Sequence, residues 1–68
     1  MVKTYGKLRE KIKQIFGTLE RFADAMDMHP STLSAKLNSR SPWTAPEIEK
    51  ACLLLHIGVH ESGEYFFY

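Results

Sequence analysis

Cysteine is nearly missing from this sequence. Cys52 is the single one among 68 residues, so no disulfide can close within the chain. A domain this short and without a crosslink must rest on one small core that only marginally offsets chain entropy, so a partner or a second copy would help. The setting Ala51-Cys52-Leu53-Leu54-Leu55 is that of a buried small hydrophobe rather than a reactive thiol, since no adjacent base or cation lowers its pKa. Long apolar runs are missing too. None approaches the roughly 18 to 20 residues of a membrane span, and no secretory signal stands at the start. A soluble protein of a reducing cytoplasm is expected, with no membrane contact. Glycine-rich phosphate loops and paired cleft acids are absent. His56 and His60 have a zinc-compatible spacing, but Gly58 interrupts the helix between them and no third or fourth ligand converges. His29 has no nucleophile and orienting acid at a recognisable spacing. No metal, cofactor or small-molecule substrate is therefore expected, and no enzyme.

A strong excess of charge is also lacking. Nine Lys and Arg face eight Asp and Glu, a formal charge of +1, far from what binding nucleic acid mainly by charge requires. The distribution says more than the total. Up to Phe16 the basic residues Lys3, Lys7, Arg9, Lys11 and Lys13 face Glu10 alone. From Gly17 to Arg40 the signs balance. From Ser41 onward Lys50 faces Glu47, Glu49, Glu61 and Glu64. One end is basic and the other acidic.

Against that background, the stretch Leu19 to Asn38 organises the chain. Leu19, Phe22, Ala23 and Met26 follow the i, i+3, i+4, i+7 spacing that lines up one face of an α-helix, with Glu20, Arg21, Asp24 and Asp27 on the other. The period breaks at Asp27-Met28-His29, where Asp tolerates the left-handed backbone of a tight reversal, and Pro30 can open a new helix because no amide is needed there. A second helix is predicted over Pro30 to Leu37. Leu33 and Leu37 make its narrow apolar seam, while Pro30, Ser31, Thr32, Ser34, Ala35 and Lys36 form an outward surface of mostly small side chains.

This run resembles the helix-turn-helix of phage lambda-type repressors and Cro proteins. Phe22-Ala23-Asp24, Met26, Met28 and Leu33 carry the likeness. With Tyr5-Gly6-Lys7-Leu8 upstream and Tyr65-Phe66-Phe67 downstream, the whole chain is similar to small Cro-like proteins of temperate phages of low-GC Gram-positive bacteria, a group that includes modulators of repression, or antirepressors. The resemblance implies an all-α fold, a single lambda-repressor-like helix-turn-helix domain of four to five short helices over 1–68, with the helix-turn-helix unit at about 19–38. Three departures stand out. Asp27 occupies a position where the family prefers Gly, and Leu19 one where many members carry a phosphate-binding Gln. The surface from Ser31 to Ala35 offers no Gln, Asn or Arg to DNA bases, although those residues make most bidentate base contacts.

Elsewhere the sequence predicts a first helix from about Thr4 to Phe16 with Tyr5, Leu8, Ile12, Ile15 and Phe16 on its inner stripe, closed by Gly17, and Thr18 as N-cap of the next helix. The stretch from Asn38 to Trp43 is a loop, since Pro42 disfavours helix at Ser41. Thr44-Ala45-Pro46-Glu47 is a capping box that opens a helix to about His56, with Ile48, Ala51, Cys52 and Leu55 inward, Gly58 near its end, and Trp43 stapled against Ile48. Tyr65 to Tyr68 cannot all point into one small core, which leaves a face for a neighbour or a symmetric twin, a homodimer.

Two functions follow from the resemblance. The first is a Cro-like transcriptional regulator of a lysis-lysogeny switch that binds double-stranded operator DNA. Ser31, Thr32, Ser34 and Ala35 would meet the bases, Thr18, Lys36, Asn38, Ser39 and Arg40 the phosphates, with His29 and Pro30 at the helix start. The second is an antirepressor in which the same surface binds the DNA-binding domain of the phage repressor.

Overall fold

Helices form where the apolar period runs, and they stop where a residue takes the left-handed backbone. The computed structural model describes residues 5–58 and 60–66. These fold into α1 (Gly6–Phe16), α2 (Leu19–Ala25), α3 (Pro30–Leu37), α4 (Ala45–Leu54) and α5 (Ser62–Phe66). No strand occurs among the described residues, so the all-α expectation of four to five short helices holds.

Leu8 and Ile12 of α1, Phe22, Ala23 and Met26 at α2, Leu33 and Leu37 of α3, Ala51 and Leu55 at α4, Ile57 and Phe66 make the core. The row Leu8, Ile12, Phe16 is spaced by four, and it lays α1 against α2, where the Phe16 and Phe22 rings meet at 5.2 Å between centroids. Ile15 falls to one side of that row. It is 39 % exposed, which corrects its predicted inward position. The predicted start at Thr4 lies outside the described residues. Tyr5 is the N-cap, and Gly6 is the first helical residue.

Chain reversals come from helix ends of one design. Asp27, Ser39 and His56 have φ near +60°, each just after a helix C-cap. The amide of the following residue reaches back to close the last turn: Met28 N–H to the Ala23 carbonyl at 2.9 Å, Arg40 N–H to Ala35 at 2.8 Å and Ile57 N–H to Cys52 at 2.9 Å. These are Schellman closures built without glycine. Gly17 closes α1 at φ 84° as expected. At the end of α4, however, it is His56 and not Gly58 that turns left-handed.

Both predicted N-caps form. Thr18 Oγ1 accepts the Arg21 amide at 3.2 Å, and Thr44 Oγ1 accepts that of Glu47 at 3.4 Å. The Glu47 carboxylate completes the box by accepting the Thr44 amide at 2.9 Å. Trp43 reaches well beyond α4. Its ring packs edge-on to Tyr5 at 6.4 Å and to Phe66 at 5.1 Å, drawing the two ends of the described chain onto the α3–α4 loop. α5 then packs on both α1 and α4, and Lys7 Nζ bridges α1 to Glu64 of α5 at 2.8 Å. Of the four consecutive aromatics, Phe66 enters the core and Tyr65 lies half-buried under Lys7. Phe67 and Tyr68 lie outside the described residues. No helix among those described is long and apolar enough to cross a membrane.

A non-glycine residue in the left-handed region costs roughly 1 kcal/mol or more relative to Gly. His56→Gly is therefore expected to raise unfolding stability by about 0.5–1 kcal/mol, read as a higher urea midpoint at unchanged slope.

Candidate recognition surface

The outer face of α3 begins with a histidine cap. His29 Nδ1 accepts the Ser31 backbone amide at 3.2 Å and lies 2.8 Å from Ser31 Oγ, so both side chains serve the helix start. Pro30 follows as the first helical residue. Pro30, Ser31, Thr32 and Ser34 are exposed, Ala35 is half-buried, and Leu33 and Leu37 point into the core, which is the outward arrangement the sequence implies.

At the other end of the helix the structure departs from expectation. Lys36 is only 5 % exposed. Its Nζ donates to the Pro42 carbonyl at 2.8 Å, pairs with Glu47 Oε1 at 2.8 Å and lies 5.9 Å from the centre of the Trp43 ring. Its expected place on the outward face, holding a phosphate, is corrected. The ammonium is engaged inside the protein, where a loop carbonyl, a carboxylate and an aromatic face replace its water. Burial alone would raise the Glu47 pKa. The hydrogen bonds from Lys36 and Thr44 outweigh it and hold the carboxyl below its ordinary value.

Asn38 is engaged as well. Its Oδ1 accepts from Arg9 Nη2 at 2.9 Å, and its Nδ2 donates to Ser34 Oγ at 3.3 Å. The same Arg9 nitrogen donates to the Leu37 carbonyl at 3.0 Å. Arg9 thus closes the C-terminal end of α3 from α1, supplying positive charge where helix carbonyls are unpaired. In the sequence Arg9 stands out only as one of the basic residues of the first helix. The pairing spans 28 residues, and no local pattern announces it. Ser39 and Arg40 are exposed beyond the cap, their backbone amides bonded to the Lys36 carbonyl at 3.2 Å and the Ala35 carbonyl at 2.8 Å. Thr18 sits at the start of α2, where its hydroxyl is committed to capping.

Charge completes the picture. The exposed Asp, Glu, Lys and Arg residues of α2 and its turn are Glu20, Arg21, Asp24 and Asp27, three carboxylates to one guanidinium. With Lys36 withdrawn, Arg40 is the only exposed cation of α3 and its C-terminal turn. Such a unit repels phosphates more than it attracts them, because duplex affinity arises largely from cations that displace counterions. The lone thiol has no part in the surface. Cys52 is half-buried on α4, and burial pushes its pKa up. No group of three or more His, Cys, Asp or Glu side chains among the described residues could hold a metal.

The five-helix arrangement with α2 and α3 joined by a tight turn is that of a small helix-turn-helix domain. The chain belongs to the family described as "Protein of unknown function (DUF739)", whose model matches residues 1–68. Among solved structures it is similar to the modulator of repression of the temperate bacteriophage TP901-1 from Lactococcus lactis. The two share 37% sequence identity over 98% of this chain and 90% of that one, with a TM-score of 0.86. A search of curated proteins returned no match. The likeness confirms the resemblance to phage modulators of repression. It overturns the first functional expectation, a Cro-like regulator that itself binds operator DNA, because the relative modulates repression. The charge of α2 and the internal engagement of Lys36 give the physical reason.

Because Arg9 caps α3 through a charged hydrogen bond, Arg9→Ala should lower stability by about 1–2 kcal/mol, measured by thermal unfolding. The Glu47 carboxyl titrates lower in the folded protein than in the unfolded chain. Its contribution is therefore complete above the ordinary glutamate pKa of about 4.3 and lost as pH falls through the lower folded value. Glu47→Gln should be less stable at neutral pH and show a shallower loss of stability below about pH 4.3, followed by denaturant midpoints across the acid range.

Proposed function

We propose that this protein is an antirepressor of a temperate phage, one that binds the DNA-binding domain of the phage's own repressor and keeps it from its operator. The observation that carries this reading is the likeness, over nearly the whole chain, to a modulator of repression. Two features of the surface support it. A repressor that grips DNA must present Lys and Arg at its DNA-facing side, and the exposed carboxylates Glu20, Asp24 and Asp27 complement such a side. The outer face of α3 is built of short side chains, so another backbone can approach it closely.

On this reading the contact surface comprises Pro30, Ser31, Thr32, Ser34 and Ala35 with the rim residues Asn38, Ser39 and Arg40. Thr18 and His29 shape it as caps, and Lys36 stiffens it from within. Thr32 is its best probe, since its side chain is exposed and enters none of the caps described above. A large cation placed there would both block approach and repel a basic partner.

Isothermal titration with the cognate repressor's DNA-binding domain tests the proposal. Binding is expected for the native chain, at least about tenfold weaker binding for Thr32→Arg, and weaker, less salt-dependent binding for Asp24→Lys. In a gel shift, an excess of this protein should release operator DNA from the repressor. A repressor that still occupies its operator under that excess, with no heat of mixing, overturns the reading.

A further inference from the structure

Two large aliphatic side chains stand exposed among the described residues, Ile15 at 39 % and Leu53 at 79 %. Neither is part of the α2–α3 surface. Each follows a charged residue by four positions, and the two charges are opposite: Lys11 precedes Ile15 on α1, and Glu49 precedes Leu53 on α4, where Lys50, three positions before Leu53, stands outside the groove described below. Residues four apart share one helix face, so α1 carries a cation-aliphatic row and α4 an anion-aliphatic row of equal length.

Each row has a point of reference at α5. Lys7, one turn before Lys11, is tied to Glu64 of α5 at 2.8 Å, so the α1 row starts beside α5. On the other side, Leu53 and Glu49 rim an open groove of about 410 Å³ whose remaining lining is Ile48, Cys52, Ile57 and Ser62, the last being the first residue of α5. Within one molecule the two rows belong to α1 and α4, with α5 packed on both.

We propose that a second copy of this chain occupies this groove. Ile15 of one copy enters beside Leu53 of the other, and Lys11 meets Glu49 across the contact. A two-fold axis near α5 pairs α1 of each copy with α4 of its twin, so the contact closes on itself as a dimer and does not propagate into a fibre. The occupant is argued from this match of charge and spacing: the groove carries a carboxylate one turn from its apolar residue, and α1 of the same chain carries the cation and aliphatic that complete it. The contact is small, so the dimer belongs at the weak end of specific interfaces. It leaves the outer face of α3 open, and it stands whether or not the repressor reading does.

Sedimentation velocity on the full chain, from about 10 μM to about 1 mM, tests it. The native protein should show a concentration-dependent rise to twice the monomer mass. Leu53→Glu should weaken self-association by at least about tenfold, and Lys11→Glu and Glu49→Lys by about threefold or more each. The double exchange Lys11→Glu with Glu49→Lys should bind more tightly than either single variant, because the pair is restored with its signs reversed. Circular dichroism establishes that each variant is folded, and the three charge variants carry the test should Leu53→Glu not fold. A native chain that stays monomeric throughout overturns the proposal, as does a double exchange no tighter than the single ones. Titration of the same Leu53→Glu protein with the repressor separates the two readings. Retained repressor binding is expected, while lost binding by a chain that never dimerises would assign the groove to the repressor and overturn the second copy.

Discussion

A single buried ammonium holds the two halves of this small protein in register. Lys36 leaves the end of α3, passes inward and finds the Pro42 carbonyl, the Glu47 carboxylate and the Trp43 ring around its nitrogen. Glu47 is at the same moment the third residue of the capping box that starts α4. Helix end, loop and helix start are thereby fixed to one point, and Trp43, held there, gathers Tyr5 and Phe66 onto the same spot. The arrangement is demanding, since an unpaired charge at that depth would be strongly destabilising. A hydrophobic contact would hold the same volume without dictating direction. The ammonium requires its oxygen partners where they are, and so specifies how the loop after α3 must run.

Much of this was legible in the residues. Pro30 and the alternation of Leu33 and Leu37 with small polar residues predict a helix that begins and ends where α3 does. The Thr44 and Glu47 spacing announces its box because both partners lie within one turn. What escaped is long in reach or unusual in chemistry. Arg9 closes a helix that lies almost thirty positions further on, and Lys36 reads as surface because lysine is so seldom buried. The left-handed residue at the end of α4 is His56, which composition does not favour over the nearby Gly58. Ile15 shows the limit of periodicity: a residue on the edge of an apolar stripe is inside or outside according to how far the neighbouring helix extends, which the pattern itself does not encode.

Outline and chemistry point in different directions in the α2–α3 unit. The backbone path, two short helices about a tight turn, is the one that the resemblance to repressors and Cro proteins implies, and it suggests a duplex as partner. The side chains do not follow. Bidentate base readers are absent from α3, the lysine that would reach a phosphate is turned inward, and α2 displays carboxylates. A fold can thus keep its shape while its surface is rewritten for another kind of partner, and function must be argued from the surface. The kinship with a modulator of repression is consistent with that rewriting.

The placement of α5 has a consequence for how the chain acquires its structure. Packing between α1 and α2, and between α2 and α3, joins segments that are neighbours in sequence, whereas α5 settles on α1 across most of the chain, as the 57-residue separation of Lys7 and Glu64 shows. A topology dominated by near-neighbour contacts belongs to the microsecond-to-millisecond regime of folding. Closure of the last helix carries the largest loop entropy, which makes it the late event of the pathway and the first to reverse when the native state opens.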